Sequence, residues 1–151
     1  MKLKMPILQI ALVALAAPSV VFAALGGDVS SVQSDRMQMK ATLPSVTRNV
    51  NYTVHEMTTS TGTAVREYTT STGTVFAVAW RGQTIPDLRQ LMGTYFDTFS
   101  GAAKAKHGGR THFSLQQNGL VVRSRGHMRA FSGIAYIPNM LPQGVTEADI
   151  K

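Results

Sequence analysis

The chain has 151 residues, a formal net charge of +7 and no cysteine. Without cysteine it can form neither disulfide bonds nor metal–thiolate sites, which excludes the small disulfide-stapled secreted scaffolds. Its length allows one compact domain with a core of its own and is short for two ordinary domains.

The first 23 residues have the pattern of a secretory signal peptide. Two lysines open the segment, residues 6–22 are almost entirely apolar, and Val21 and Ala23 fit the −3 and −1 positions of a cleavage site. A membrane anchor is the alternative, but Pro18 interrupts a run already shorter than the roughly 20 residues that span a bilayer. The pattern predicts export to the periplasm or the cell exterior, with cleavage near Ala23 and one domain over residues 24–151.

The next segments predict a short helix followed by an antiparallel meander. A helix is expected over residues 28–42, and Pro44 ends it. The sequence Thr-Thr-Ser-Thr-Gly-Thr occurs at residues 58–63 and again at 69–74, each time after a β-rich run, and its glycine signals a turn. The third run, residues 75–80, is apolar on both faces and should be the most buried strand. Strands separated by such turns form a meander.

An apolar stripe then predicts one amphipathic helix. Thr84 and Asp87 have the spacing of a capping box, and Gly101 is expected to end the helix. Its apolar residues recur at three- and four-residue steps: Leu88, Leu91, Met92, Tyr95, Phe96 and Phe99. The polar face is not rich in lysine, as it would be in a helix that lies on a membrane surface. The stripe therefore indicates core packing.

A second β region completes the predicted fold. Three β-rich runs cover residues 112–116, 120–125 and 128–137, and Asn118 with Gly119 gives a strong hairpin signal between the first two. The order is helix, three strands, helix, three strands. This order predicts an α+β fold, in which an antiparallel sheet of about six strands, a meander plus hairpins, carries one or two helices packed on one face.

The positive charge is concentrated in the second half of the chain. Residues 24–97 are neutral overall, whereas residues 98–151 carry a net charge of +5 without any acid between Asp97 and Glu147. A region of one sign concentrates anionic partners. For an exported protein, the expected partners are anionic lipid, lipopolysaccharide or an envelope protein, and nucleic acid is not expected. A basic face that only keeps the protein soluble is the alternative.

Alternating bases on one β-rich run form the best candidate anion-binding site: Arg123, Arg125, His127 and Arg129. A strand that continues through Gly126 would present all four on one face. If Gly126 forms a tight turn instead, the arginines at the two ends of this run would lie on facing strands. Guanidinium groups suit phosphate and carboxylate ligands. Three further candidates come from the preceding basic segment: Lys104, Lys106 and Arg110.

The sequence contains no motif for catalysis or cofactor binding. A nucleophile elbow, a phosphate-binding glycine loop, a His-Glu-x-x-His pair and a calcium loop are all missing. The histidines of the basic region lie among bases that repel a cation, so no metal site is predicted. We therefore expect a binding protein without catalytic residues, metal or cofactor. The alternatives are a carrier or chaperone for a hydrophobic ligand held between sheet and helix and, third, a hydrolase whose triad is assembled only in three dimensions.

Short motifs along the whole chain carry a family resemblance. They are Ala24-Leu25-Gly26-Gly27-Asp28, Tyr52-Thr53-Val54-His55-Glu56, Val65-Arg66-Glu67-Tyr68, Pro86-Asp87-Leu88-Arg89-Gln90-Leu91 and Gly126-His127-Met128-Arg129-Ala130-Phe131. Together they resemble a family of small exported proteobacterial proteins catalogued as domain of unknown function twenty-eight forty-four. The resemblance implies a bacterial envelope protein with a single domain. It assigns no activity and no catalytic residues.

Overall fold

The computed structural model describes residues 25–105 and 111–151, so the predicted signal peptide lies outside the described residues. Within these ranges the chain forms seven β-strands and three α-helical segments. The strands are β1 Ser45–Arg48, β2 Tyr52–Thr58, β3 Ala64–Thr70, β4 Val75–Gly82, β5 His112–Gln117, β6 Leu120–His127 and β7 Ala130–Tyr136. The α-helices are α1 Ser31–Gln38, α2 Leu88–Met92 and α3 Phe96–Ala105.

All strands of the described chain join one antiparallel sheet in the order β1-β2-β3-β4-β7-β6-β5. Two meanders, β1 to β4 and β5 to β7, meet where β4 pairs with β7. The predicted antiparallel sheet with helices is confirmed, but the expected six strands were one too few. The sequence analysis overlooked β1, a four-residue edge strand that is exposed throughout and lacks the apolar alternation of a half-buried strand.

The two threonine-rich repeats form the predicted hairpin turns. Gly62 and Gly73 both adopt a left-handed backbone, with φ of +83° and +87°. The side chain of the second threonine in each repeat accepts a hydrogen bond from the main-chain N–H four residues later. Thr59 Oγ1 accepts from Thr63 at 3.1 Å, and Thr70 Oγ1 accepts at the same distance in the second repeat. The identical sequences therefore give the same local structure twice.

Two hydrophobic clusters divide the buried side chains. The first cluster combines residues of the helical segments, such as Leu91, with Val65 and Val78 of the sheet. The second combines Phe76 with the segment that follows β7, whose Ile150 is buried there. Because strand side chains alternate, Val65 and Val78 mark one face of the sheet and Ala79 marks the other. We call these the first face and the second face. Phe76 also joins the second cluster, because the pairing of β3 with β4 shifts register between Tyr68 and Thr69. Strand β4 contributes to both, and its residues 75–80 are all buried, as predicted.

The long amphipathic helix of the prediction is interrupted. Helix α2 ends at Gly93, which has φ of +50°, and α3 then continues past Gly101, where the sequence analysis ended the helix. The N-cap is Asp87 rather than Thr84, because the Asp87 carboxylate accepts from the Gln90 N–H at 3.0 Å. Glycine at position 93 allows the change of direction. The short helices still place their apolar residues in the first cluster.

The spacing of the apolar stripe predicts that Arg89 lies on the polar face of this helix, opposite Phe96. In the structure its guanidinium carbon lies 4.3 Å from the centre of the Phe96 ring, a cation–π contact. The first helix is also shorter than predicted, since α1 ends at Gln38, and Leu43 is 75% exposed beyond it.

We expect Leu91→Ala to lower the free energy of unfolding by about 2–5 kcal/mol. The Leu91 side chain is fully buried, so its truncation removes burial and leaves a cavity. Ile85→Ala is the control, because that side chain is 54% exposed and its loss should cost no more than about 0.5 kcal/mol. Urea denaturation midpoints measure both. Equal losses for the two variants would contradict the assigned packing.

Candidate functional site

The predicted basic residues occupy different positions in the sheet. Strand β6 continues through Gly126, which pairs with Phe131, so Arg123, Arg125 and His127 lie on the second face. The turn between β6 and β7 lies at Met128 and Arg129, beyond Gly126, where the tight-turn alternative places it. Arg129 lies in that turn with φ of +60° and does not extend the row.

The remaining predicted bases lie away from this strand or cannot be placed. Lys104 is exposed near the end of α3. Lys106 and Arg110 lie outside the described residues.

The strand register arranges the second face into rows that run across the sheet. One row, which we call the outer row, contains Ala64, Arg81, Ser132, Arg125 and His112 in the order β3, β4, β7, β6, β5. The inner row lies two residues further along each strand and contains Arg66, Ala79, Ile134, Arg123 and Ser114. Each row therefore carries two arginines separated by small or apolar residues.

The inner-row arginines are neutralised by acids of the same chain. Arg66 forms an ion pair with Glu56. Arg123 forms an ion pair with Glu147, which returns to the sheet from beyond β7. Partial burial of Glu147 acts against ionisation, but the Tyr136 hydroxyl and the Arg123 guanidinium outweigh it and lower the pKa of this carboxyl. Arg123, the first residue of the predicted site, is thus already engaged.

The outer-row arginines have no such partner. Arg81 and Arg125 form no ion pair or hydrogen bond through their side chains within residues 25–105 and 111–151. Both are exposed and line a cavity of about 680 Å³ on the second face. Ser132 lies between them on β7, so their Cα atoms are two strand spacings apart, about 10 Å. The long side chains can approach a common ligand over Ser132.

Sequence reasoning missed two of these three residues. Arg81 follows directly after the buried run of β4, and a charged residue at such a position is commonly only the solvated end of a strand. Ser132 carries no signal in the sequence. Both become neighbours of Arg125 only because β7 inserts between β4 and β6. The outer row could have been predicted only from a strand order that places β7 between β4 and β6.

A second polar cluster lies on the first face and is fully buried. It joins Asp35 of α1, Glu67 of β3 and Gln90 of α2. Gln90 Nε2 donates to Asp35 Oδ1 at 2.6 Å. The other Asp35 oxygen and both Glu67 oxygens receive no N–H or hydroxyl donor within the described part of the chain. Because two adjacent buried carboxylates repel each other, at least one carboxyl must keep its proton.

The two carboxyl groups share that proton. Burial, followed by the charge of the neighbouring carboxyl, raises the pKa of Glu67 well above its usual value. Burial also raises the pKa of Asp35, to about 7, while hydrogen bonds from Gln90 and Glu67 oppose this rise. Glu67 is thus the carboxyl that holds the proton, and Asp35 is the neighbour to which that proton can be donated. The pair connects α1 to the sheet and is fully buried. A substrate could not contact it, so its features are those of a stabilising interaction and not of an active site.

We expect Glu67→Gln to reduce the loss of stability with rising pH. In the unfolded chain these carboxyls lose their protons above their ordinary pKa near 4, whereas the folded wild type keeps one proton on the pair. The free energy of unfolding therefore falls as the pH rises from about 4 to at least about 7. A glutamine amide donates to Asp35 without needing that proton. Urea midpoints at about pH 5 and about pH 8 measure the difference.

Asp97→Asn, on the exposed face of α3, is the matched carboxyl-to-amide control and should retain the pH dependence of wild type. Burial lowers the pKa of His55, which faces Glu67 across β2 and β3, and this histidine contributes stability that rises with pH. Because Glu67 faces His55, all three chains are compared in a His55→Gln background, which removes this contribution. The same pH dependence in wild type and Glu67→Gln would show that no proton is shared.

Within residues 25–105 and 111–151, no three acidic or histidine side chains group closely enough to hold a metal ion. In the same ranges no helix has the length and hydropathy to cross a membrane.

Comparison with known proteins gives a family and no activity. No curated protein and no solved structure matches this chain. One family model, described as Protein of unknown function (DUF2844), matches residues 21–150, which is nearly the whole chain. The motif resemblance found in the sequence is thereby confirmed, and the chain belongs to the DUF2844 family.

Proposed function

We propose that this chain is an exported, non-enzymatic bacterial envelope protein that captures an anionic ligand in the cavity of the second face. One observation carries the proposal: Arg81 and Arg125 flank Ser132 and lack a carboxylate partner in the described chain. Guanidinium groups that are not neutralised internally are available to a ligand. Each offers a planar fork of donors that matches carboxylate or phosphate oxygens.

The dimensions of the cavity support binding of a discrete group. Its volume of about 680 Å³ falls within the range of small-ligand sites, roughly 300–1,000 Å³. Ala64, Ala79 and Ile134 supply apolar surface beside the arginines. Such walls exclude water and strengthen the attraction between a guanidinium group and an anion. A solvated basic face would need neither a cavity nor an apolar wall.

The alternative functions receive less support. A carrier needs an empty space between the sheet and the helices. Leu91 and Met92 are fully buried, so we propose that the helices fill this space with packed side chains and leave no room for a ligand. A hydrolase needs a hydroxyl activated by histidine. His55 Nε2 lies 3.4 Å from Thr69 Oγ1, which is long for such a hydrogen bond. The carrier is the second candidate and the hydrolase the third.

Export and a location in the periplasm or outside the cell are part of the same proposal. They rest on the signal-peptide pattern of residues 1–23. We expect the mature protein to begin at Ala24, because Val21 and Ala23 fit the cleavage rule. Intact-mass spectrometry of protein from an envelope fraction checks this. Protein recovered with Met1, or only from the cytoplasm, would contradict it.

We expect anion binding to depend on the outer row and to weaken with salt. Binding of inorganic phosphate, and of vesicles containing phosphatidylglycerol, is measured for wild type and for the double variant Arg81→Gln, Arg125→Gln. The double variant should lose binding by at least about tenfold, since hydrogen bonds to charged groups contribute roughly 1.5–3 kcal/mol each. Binding by wild type should also fall as ionic strength rises, because salt screens exposed charges.

The matched control is Arg36→Gln, Arg48→Gln, which removes the same charge from α1 and β1, away from the cavity. It should bind like wild type. If both double variants bind equally, general positive charge rather than the outer row attracts the anion, and the proposal fails.

A further inference from the structure

The second face already binds an acidic peptide segment, and that segment belongs to this chain. Residues 141–151 cross the face after β7. Glu147 pairs with Arg123 and accepts from the Tyr136 hydroxyl at 2.8 Å. The main-chain oxygen of Lys151 accepts from Arg66 Nη1 at 2.8 Å and from the Tyr68 hydroxyl at 2.9 Å. These contacts show which chemistry the face recognises: one side-chain carboxylate and one main-chain oxygen, each held by an inner-row arginine.

Apolar anchors complete this interaction. Ile150 is buried in the second cluster, where Leu141 and Val145 also pack. The segment therefore combines acidic and apolar side chains at short spacing, as in Val145-Thr146-Glu147-Ala148-Asp149-Ile150. One arginine fork on Glu147, a second on the main-chain oxygen of Lys151 and an apolar surface around Ile150 hold the segment. Asp149 instead accepts hydrogen bonds from Thr146 within the segment.

The cavity repeats this arrangement next to the bound segment. Glu147 and Lys151 line the cavity, so the segment forms one of its walls. On the far side, Arg81 and Arg125 offer two further forks, and Ala64 lies beside Arg81 on the neighbouring strand. A second peptide lying there would meet the same mixture of guanidinium groups and apolar surface. It could also contact the segment that is already in place.

From this continuity we infer that the cavity of the second face docks an acidic peptide segment of another protein, with carboxylate side chains on Arg81 and Arg125. This inference rests on the proposed function and names its ligand class. A flat lipid surface fits less well, because the site is a cavity with a wall formed by residues 147–151. The segment's own contacts, rather than charge alone, favour a peptide over a free anion.

The experiment compares three kinds of probe on the full mature protein. The peptide probe carries two copies of the sequence of residues 145–150, with blocked ends. Its control replaces each Glu by Gln and each Asp by Asn. Inorganic phosphate and phosphatidylglycerol vesicles are the other probes. Isothermal titration calorimetry measures the binding of each probe.

We expect the acidic peptide to bind wild type at least about tenfold more tightly than its amide control. Arg81→Gln, Arg125→Gln should abolish this difference, and Arg36→Gln, Arg48→Gln should preserve it. If the acidic peptide still binds the Arg81, Arg125 variant, it displaces the internal segment from the inner row, and the inference is wrong. Circular dichroism of each variant confirms that the fold is retained.

The other probes separate failure of the inference from failure of the proposed function. If phosphate or vesicles bind through Arg81 and Arg125 while the acidic peptide does not, the peptide inference is overturned and anion capture stands. If no probe shows binding that depends on these arginines, both are overturned.

Discussion

Burial of β4 on both of its faces is the constraint on which the rest of the molecule depends. Residues 75–80 contribute to both hydrophobic clusters: Val75, Val78 and Trp80 lie in the first, and Phe76, Ala77 and Ala79 lie in the second. A strand buried in this way cannot accept charge within the run, so its first arginine, Arg81, comes directly after Trp80. Pairing with β7 then places Ser132 opposite this arginine and Arg125 one strand further. The outer row is thus a consequence of where the central strand stops being buried.

The sequence predicted most of this sheet because its signals are local. The repeated threonine turns, the Asn118-Gly119 hairpin and the apolar run of β4 each depend on neighbours in the chain, and all three were confirmed. The errors arose where tertiary contacts override local pattern. The apolar stripe of residues 88–99 has helical spacing throughout, yet Gly93 interrupts it so that both halves reach the first cluster. Edge strand β1 forms because β2 offers it a partner, not because its own residues alternate.

The proposed binding face was predictable only in part, for the same reason. Alternation along β6 indicated correctly that Arg123, Arg125 and His127 share a face. Whether an arginine on that face is free depends on acids that are distant in sequence. Glu147 neutralises Arg123 from 24 positions away, and the acid-free stretch that suggested a bare basic surface ends at this residue. A count of positive charge along a stretch of sequence therefore overstates the number of unpaired bases at the surface, because folding brings acids from distant positions into ion pairs with them.

Strand β3 links the two polar systems of the protein through three consecutive residues. Arg66 and Tyr68 lie on the second face and hold the main-chain oxygen of Lys151, whereas Glu67 lies on the first face against Asp35. A register slip of one residue would exchange the faces. It would place a guanidinium under the helices and remove the partner of Asp35, which leaves buried polar groups unpaired on both faces. The buried pair therefore disfavours this slip, and the observed register aligns Ala64 with Arg81 beside the cavity. Residues outside the proposed binding site in this way help to position it.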